Sequence, residues 1–396
     1  MPLPNSWPGH LAEDWQQAGF GLYLHWPFCE AKCPYCDFNS HVAREIDQSA
    51  WATAYLREID RHAELLPNRV LNSVFFGGGT PSLMNPDVVD AIITRIRKSW
   101  PSVNDMEITL EANPGSVEAG RFRGYAQAGV SRISMGVQAL NDEDLRRLGR
   151  IHTVAEARQA FDIAKQCFDR VSFDMIYARQ DQTLDDWKAE LQEALSMAID
   201  HLSLYQLTIE EGTAFGDRYA AGKLRGLPVE DTAADMYEAT QEMCDAAGMS
   251  AYEVSSHARP GAESRHNLIY WRYGDYIGIG PGAHGRITQA GTRIATEAYS
   301  SPAKWLSAAM GGETEKLRTR LSGIEQADEY VMMGLRITEG IDPARYAVLA
   351  GRPLDAQAID MLEDLEMIDA SPSRIRVTAK GRMLLNAVIK EFLSGN

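Results

Sequence analysis

Short apolar runs alternate with amphipathic stretches through the first two-thirds of this chain of 396 residues. Six of the apolar runs have the length and composition of β-strands, and they cover residues 21–25, 70–76, 106–111, 132–137, 170–176 and 201–209. The stretches between them predict helices over 47–66, from 86 onward, 117–128 and 184–197. Such alternation indicates βαβ units and a parallel sheet. Six units are too few for a closed barrel of eight strands, so the sequence predicts an α/β fold with an open, partial (β/α)6 barrel.

The pattern changes after residue 303, which predicts a first domain over 1–303 and a second, helix-rich domain over 304–396. The last part of the chain predicts a helix over 355–365, a β-ribbon over 368–377 and a helix over 378–393. That order is typical of a small winged-helix-like unit. Because the chain is acidic, a packing or partner-docking role is favoured over DNA binding for this unit.

The charge and hydropathy of the chain exclude several classes of partner. The formal net charge is −16, from 39 basic and 55 acidic side chains. Such a surface repels phosphate backbones, and no stripe of Lys or Arg offsets it, so no nucleic acid is expected as a partner. No apolar run approaches the roughly 20 residues of a transmembrane helix. The start of the chain lacks a secretory signal and clustered thiols fit a reducing compartment, so the sequence predicts a cytoplasmic protein without a transmembrane segment.

Three of the five cysteines, Cys29, Cys33 and Cys36, lie within eight residues in a C-x3-C-x2-C pattern. Three thiolates leave a tetrahedral zinc site one ligand short, and no second cysteine pair follows. Thiolates are the usual ligands of iron–sulfur clusters, and a four-iron cluster held by three of them keeps one iron open to another ligand. The alternative is a zinc knot with a distant fourth ligand, for which His25 and His41 are the candidates.

Polar and glycine residues collect where the predicted strands end. A turn of Gly77-Gly78-Gly79-Thr80-Pro81 follows the second strand. Glycines there let a ligand approach the backbone closely, and the turn lacks the Lys-Ser/Thr of a phosphate-binding loop. Glu111, Gln138 and Asp174 end or lie within later strands, and Arg150 follows the fourth. Because ligands of parallel α/β folds bind at the carboxyl ends of the strands, these side chains predict one ligand site.

The cysteine spacing just after a strand resembles the signature of the radical S-adenosylmethionine (SAM) superfamily. The chain is also similar to the oxygen-independent coproporphyrinogen III oxidase family in motifs that run in order: YLHxPFC at 23–29, CDF at 36–38, GGGTPS at 77–82, EANP at 111–114, RISMGVQ at 132–138, YQLTIEEGT at 205–213, YEVS at 252–255, SRHNLIYW at 264–271 and GIGPGAH at 278–284. The resemblance implies a radical SAM barrel, a 4Fe–4S cluster whose open iron chelates SAM, and a C-terminal domain like that of the family.

Residue roles follow from the resemblance position by position. The implied cluster ligands are Cys29, Cys33 and Cys36. The implied SAM contacts are Tyr23, Gly78, Glu111 and Asp174. Further residues match positions that line the same cavity, some of which hold a second SAM in the oxidases: Tyr35, Gly79, Thr80, Gln138 and Arg150.

Two branches of the family share this scaffold, and Phe38 separates them. The oxidases have a fourth cysteine two places after the third, where this chain has Phe38. They also have a longer segment before the cysteine motif, whereas 28 residues precede Cys29 here. These features and the HNxxYW motif at 266–271 resemble the HemW-type heme chaperones instead. The resemblance therefore favours a protein that binds heme and delivers it to acceptor hemoproteins, with respiratory-chain proteins among the options, over an oxygen-independent coproporphyrinogen III oxidase. Either function implies an electron donor to the cluster. A radical SAM methyltransferase, the third class, would need extra cysteines or a cobalamin module, which the sequence lacks.

Heme needs an axial ligand, and His266 is the preferred candidate because its aromatic neighbours could cover a porphyrin face. The other interpretation of His266 is a histidine hydrogen-bonded within a turn, and the alternative ligands are His25, His257 and His284. One segment departs from the family: residues 178–180 read Ala-Arg-Gln where the family has Gly-Leu-Pro. The sequence therefore predicts an altered loop at this edge of the cavity.

Overall fold

The computed structural model describes residues 15–117 and 119–393. Within these ranges the strands are β1 Phe20–Trp26, β2 Phe28–Cys29, β3 His41–Val42, β4 Leu71–Gly78, β5 Ser102–Ala112, β6 Arg132–Gln138, β7 Arg170–Tyr177, β8 His201–Gln206, β9 Ser250–Ala251, β10 Ser256–Ala258, β11 Asp275–Ile279, β12 His284–Gln289, β13 Thr292–Ala298, β14 Glu315–Arg320, β15 Ile368–Ser371 and β16 Arg374–Val377. The helices are α1 Trp15–Ala18, α2 Gln48–Leu65, α3 Pro86–Ser99, α4 Ala119–Ala128, α5 Asp142–Arg147, α6 Val154–Cys167, α7 Leu184–Met197, α8 Ala214–Ala220, α9 Glu230–Ala246, α10 Arg265–Trp271, α11 Pro302–Gly311, α12 Gly323–Gly334, α13 Pro343–Ala350, α14 Ala356–Asp364, α15 Ala379–Arg382 and α16 Leu385–Lys390. In this part of the chain no helix combines the length and apolarity needed to cross a bilayer.

One mixed sheet contains most of these strands, in the order β14-β13-β12-β11-β1-β4-β5-β6-β7-β8-β10-β9. Strands β1 and β4 to β8 run parallel, and each pairs with the next one along the chain through a helical connection. The structure thus confirms the predicted open barrel of six βα units. The sequence did not predict β11, which adds a parallel strand beside β1, or the antiparallel strands at both edges of the sheet.

The two faces of β1 show how the sheet separates the core from the site. Trp26 packs against Trp51 and Tyr55 of α2. Tyr23 and His25 alternate with the buried apolar residues of the strand and line a cavity inside the barrel. Because successive side chains of a strand point to opposite faces, polar residues in these apolar strands face the barrel interior.

A second hydrophobic core lies in the C-terminal part of the chain, built mainly by α12 to α16 and the β15–β16 ribbon. The main sheet, however, continues to Arg320, past the predicted domain boundary at residue 303. The reason is that Trp305 of α11 stacks on Trp51 with ring centroids 5.5 Å apart, and β14 pairs with β13. The stretch between 303 and 320 therefore belongs structurally to the first core.

The predicted helix over 378–393 is interrupted. The structure has two short helices, α15 and α16, separated at Met383 and Leu384. Leu384 has φ −119° and ψ 29°, outside the helical region. Met383 and Leu384 are consequently 41% and 54% exposed, which is unusual for large apolar side chains beside a core.

The loop after β7 keeps its turn although the family's glycine and proline are replaced. Ala178 has φ +57°, in the left-handed region that glycine adopts most easily. Arg179 is buried and forms ion pairs with Asp144 of α5 at 2.9 Å and with Glu190 of α7 at 2.6 Å. These ion pairs hold the strained turn against the two helices.

Replacing Ala178 with glycine should stabilise the fold. An L-residue in the left-handed region destabilises the folded state by roughly 1–2 kcal/mol, which glycine would relieve. Glycine also makes the unfolded chain more flexible, and this offsets about 0.4–1 kcal/mol of the gain. We expect A178G to raise the free energy of unfolding by about 0.5–1 kcal/mol in denaturant titrations. The same change at Ala189, an exposed position inside α7, should lower it by about 1 kcal/mol. A loss of stability in both variants would contradict the strain at Ala178.

Candidate cluster and cofactor site

The clustered cysteines lie on a loop that leaves the carboxyl end of β1. Cys29 ends β2, which pairs with β3, so both ends of the loop are fixed. The Cys36 amide donates to the Cys33 carbonyl at 3.1 Å and closes a tight turn between them. All three thiols are free and half-buried. Burial, and to a lesser extent the neighbouring thiols, raise the pKa of Cys29 and Cys36, so the loop favours thiolates only when a cation is present.

The glycine turn after β4 lies directly against the cysteine loop. A Cβ added to Gly79 would lie 2.6 Å from the Phe28 carbonyl oxygen and 3.0 Å from the Cys29 sulfur. Gly78 has φ +112° and directs its amide to a carboxylate oxygen of Glu111 at 3.1 Å. No side chain fits at either position, so glycine is required for this approach.

Arg150 closes the cysteine loop from the other side. Its guanidinium donates to the Cys33 sulfur at 3.4 Å and to the Gly136 carbonyl at 2.8 Å. A Cβ added to the preceding residue, Gly149, would lie 2.5 Å from Pro34. A cation beside a ligand sulfur stabilises the thiolate, and donors to cluster sulfurs orient and tune such ligands.

Two half-buried carboxylates, Glu111 at the end of β5 and Asp174 in β7, face the barrel interior. Burial, together with the charge of Asp174, raises the pKa of Glu111 to about 8. Burial raises the pKa of Asp174 to about 6, although hydrogen bonds from Ser203 and Ser134 oppose the shift. An empty site therefore holds these acids partly protonated, and a cationic ligand such as SAM would favour their charged forms.

Sequence reasoning missed Arg132, which faces the same cavity. It opens β6, is almost completely buried and donates to Ser172 Oγ at 2.8 Å. Its charge lowers the pKa of both Glu111 and Asp174, although less than burial raises them. The argument that identified Asp174, a charged residue in an otherwise apolar strand, applies equally to Arg132.

Tyr23 is held in place by His25. The His25 Nε2 lies 2.9 Å from the Asn39 carbonyl, so it is the donor, and His25 Nδ1 accepts from the Tyr23 hydroxyl at 3.0 Å. His41, the other predicted zinc candidate, lies 3.1 Å from the Asn39 side chain. Among residues 15–117 and 119–393, no group of His, Cys, Asp or Glu converges closely enough to hold a single metal ion.

Two cavities meet at the carboxyl ends of the strands. The inner cavity, about 450 Å³, is lined by the predicted residues Tyr23, Gly78, Glu111 and Asp174. The mouth cavity, about 1090 Å³, lies between the barrel and α15–α16 and is lined by the predicted residues Tyr35, Cys36, Glu111, Gln138 and Asp174. The other predicted residues surround the cysteine loop instead: Cys29, Cys33, Gly79, Thr80 and Arg150. The structure therefore brings the predicted cluster and cofactor residues together around one centre, whereas the predicted heme ligand is placed elsewhere.

His266 lies outside both cavities. It is almost completely buried, its ring stacks on Phe75 at 5.1 Å, and its two nitrogens lie 2.8 Å from the hydroxyls of Ser73 and Tyr270. Burial lowers the pKa of His266 to about 3. Iron ligation by His266 stays a prediction, and it would require one ring nitrogen to give up its hydrogen bond.

The fold and site define a radical SAM protein with an added C-terminal domain. The sequence pattern of the Radical SAM superfamily matches residues 23–194, and that of the HemN C-terminal domain matches residues 321–384. The solved structure of coproporphyrinogen III oxidase (HemN) from Escherichia coli superposes with a TM-score of 0.79 over 96% of this chain and 91% of that one, at 22% identity. This likeness shows a shared fold.

The heme chaperone HemW of Escherichia coli is 36% identical over 94% of this chain and 98% of its own length. The HemW of Bacillus subtilis is 33% identical over 94% of this chain and 98% of its own length. The mitochondrial radical S-adenosyl methionine domain-containing protein 1 of Bos taurus is 40% identical over 81% of this chain and 74% of its own length. The chain therefore belongs to the HemW family.

Replacing Cys33 with serine should abolish cluster loading, because the third thiolate and its contact with Arg150 are lost together. After anaerobic reconstitution we expect the variant to lack both the iron and the acid-labile sulfide of a 4Fe–4S cluster. The matched control is C167S, since Cys167 lies in α6, away from the loop, and should load normally. Intact four-iron absorbance in C33S would contradict the site.

The affinity for SAM should rise with pH. Glu111, with a pKa of about 8, is mostly protonated at neutral pH in the empty site, and binding of a cation releases its proton. We expect the dissociation constant to fall about tenfold per pH unit between about pH 6.5 and 8 and to level off above that. Equilibrium titrations should show this slope in the wild type, a flat profile in E111Q, and in D174N a slope displaced to lower pH, because the charge of Asp174 no longer raises the pKa of Glu111. Equal slopes in the wild type and E111Q would assign the proton to another group.

Proposed function

We propose that this chain is a heme chaperone, which binds heme and transfers it to acceptor hemoproteins while carrying a 4Fe–4S cluster and SAM. The observation that carries the proposal is the similarity, over 94% of the chain, to relatives named heme chaperone HemW. Phe38 supports it. At the place where the oxidases have a fourth thiol, this chain presents an aromatic side chain that is 58% exposed and lines both cavities.

The proposed site residues keep the roles that their motifs imply. Cys29, Cys33 and Cys36 bind the cluster, and when bound it supplies electrons to SAM from an external donor. Tyr23, Gly78, Glu111 and Asp174 hold SAM in the inner cavity, where the carboxylates favour a cation. Tyr35, Gly79, Thr80, Gln138 and Arg150 shape the surroundings of the cluster. Respiratory-chain hemoproteins as acceptors and a cytoplasmic location belong to the same proposal.

A second candidate function is that of an oxygen-independent coproporphyrinogen III oxidase. The observation that favours it is the fold shared with HemN over almost the whole chain. A likeness of fold does not carry the reaction with it, because function resides in the site. Phe38 in place of the fourth cysteine counts against this candidate.

The decisive assay offers heme and coproporphyrinogen III separately to the reconstituted protein with SAM and a reductant, under anaerobic conditions. For a chaperone we expect stoichiometric heme binding, transfer of that heme to an apo-hemoprotein, and no accumulation of protoporphyrinogen. Repeated turnover of coproporphyrinogen III would identify an oxidase. In the same assay, H266A tests the predicted axial ligand: loss or displacement of the Soret band supports it, and an unchanged band and affinity place the ligand elsewhere.

A further inference from the structure

The mouth cavity has an apolar and aromatic lining, which binding of a cluster or of SAM does not require. Strands β7 and β8, helix α9 and the segment around α15–α16 form its walls. The apolar and aromatic side chains that line it include Ile176, Tyr177, Leu204, Leu207, Tyr237, Val254, Met383 and Leu384. Its volume of about 1090 Å³ exceeds that of the inner cavity more than twofold. Such a space suits a large, mostly apolar ligand.

Two arginines, Arg336 and Arg382, lie on the C-terminal wall of this cavity. Arg336 donates to the Met332 carbonyl and to the Asn386 side chain at 3.3 Å. Arg382 donates through Nη1 to the Arg336 carbonyl at 3.4 Å, while its Nη2 is buried without a hydrogen-bond partner. Within the described part of the chain, neither guanidinium has a carboxylate at ion-pair distance. Burial lowers the pKa of both, although at Arg382 the charge of Glu253 opposes part of that shift.

Acidic side chains are placed differently around the cavity. Glu210 and Glu230 line the part formed by the barrel loops and α9, and Glu111 and Asp174 lie toward the inner cavity. Among the residues that line the cavity, the two arginines therefore lie on the C-terminal wall and the acidic side chains lie elsewhere. A ligand with anionic groups along one edge would be oriented by this asymmetry, with that edge toward Arg336 and Arg382.

We propose that the mouth cavity is the porphyrin site of this protein, and that Arg336 and Arg382 bind the two propionates of heme. The proposal rests on the proposed heme-binding function and adds the place and the orientation of the ligand. Heme matches the cavity in chemistry, because it is a large apolar plane with two carboxylates on one edge. A propionate would supply the acceptor that the buried Arg382 Nη2 lacks, after a small rotation of the guanidinium.

This placement separates the porphyrin from His266, which lines neither cavity and has both nitrogens hydrogen-bonded. Side chains in the mouth cavity with atoms able to ligate iron include Tyr177, Tyr237 and Met383. The exposure of Met383 at the break between α15 and α16 gives it access to the cavity. In this arrangement His266 supports Phe75 and Tyr270 in the barrel interior.

Heme titrations of R336M and R382M test the two arginines, with R352M as the matched control, because Arg352 is an exposed arginine of the C-terminal core region outside the cavity. Methionine keeps the aliphatic stem of arginine and removes the charge. We expect the dissociation constant of heme to rise about tenfold or more in R336M and R382M, as for the loss of a charge-assisted hydrogen bond, and to stay unchanged in R352M. Thermal unfolding of each variant identifies any change that comes from misfolding.

A second measurement uses the unaltered protein and the dimethyl ester of heme, whose propionates carry no charge. The ester should bind the wild type about tenfold or more weakly than heme does, and R382M should not weaken ester binding further. If the wild type binds heme and its ester equally and both variants bind heme normally, the propionate assignment is overturned while heme binding itself stands. If the wild type binds no heme at all, the proposed function fails instead.

Discussion

The close approach between the glycine turn and the cysteine loop fixes the geometry of the whole site. Residue 79 has no room for a Cβ beside the Phe28 carbonyl, so the loop lies against the end of β4 rather than free in solvent. Arg150 holds the opposite side through the Cys33 sulfur. Because β4 pairs with both β1 and β5, the cluster ligands are positioned relative to Glu111 by the backbone of the sheet. A change of sheet register would move the cluster and the acids apart.

The electrostatics of the inner cavity follow from that geometry. Two carboxylates on the interior side of one sheet, on β5 and β7 with β6 between them, are an unfavourable arrangement, and their raised pKa values reflect it. Arg132 compensates in part, but it donates its hydrogen bond to Ser172 rather than to either acid. The sulfonium and ammonium groups of SAM would supply the positive charge that Arg132 does not provide. In the empty site the two acids therefore destabilise each other electrostatically, and a cationic ligand would remove that repulsion.

Much of this arrangement could be predicted from the sequence, for a physical reason. Strands buried on both faces are apolar, so charged residues such as Glu111 and Asp174 and the glycines at 77–79 are conspicuous in them. The strand β11 was missed because Asp275 opens it. That buried carboxylate is compensated by ion pairs with Arg69 and Arg293 and by hydrogen bonds from Thr288, none of which is a neighbour in sequence. For His266 the sequence left a ligand and a hydrogen-bonded histidine both open, since its partner Tyr270 is four residues away but its partner Ser73 is 193 residues away. Long-range pairing of polar groups leaves no local pattern.

The two cavities are not independent, because Phe38, Glu111, Asp174 and Tyr205 line both. A porphyrin in the mouth cavity would therefore form part of the wall of the inner cavity. Its presence would exclude water from the two acids, and its departure would expose them to solvent. Since coupling between two ligands is reciprocal, SAM bound inside would alter the affinity for the porphyrin by the same factor as the porphyrin alters the affinity for SAM. If heme occupies the mouth cavity as proposed, an acceptor that removes it would also change the surroundings of the SAM site.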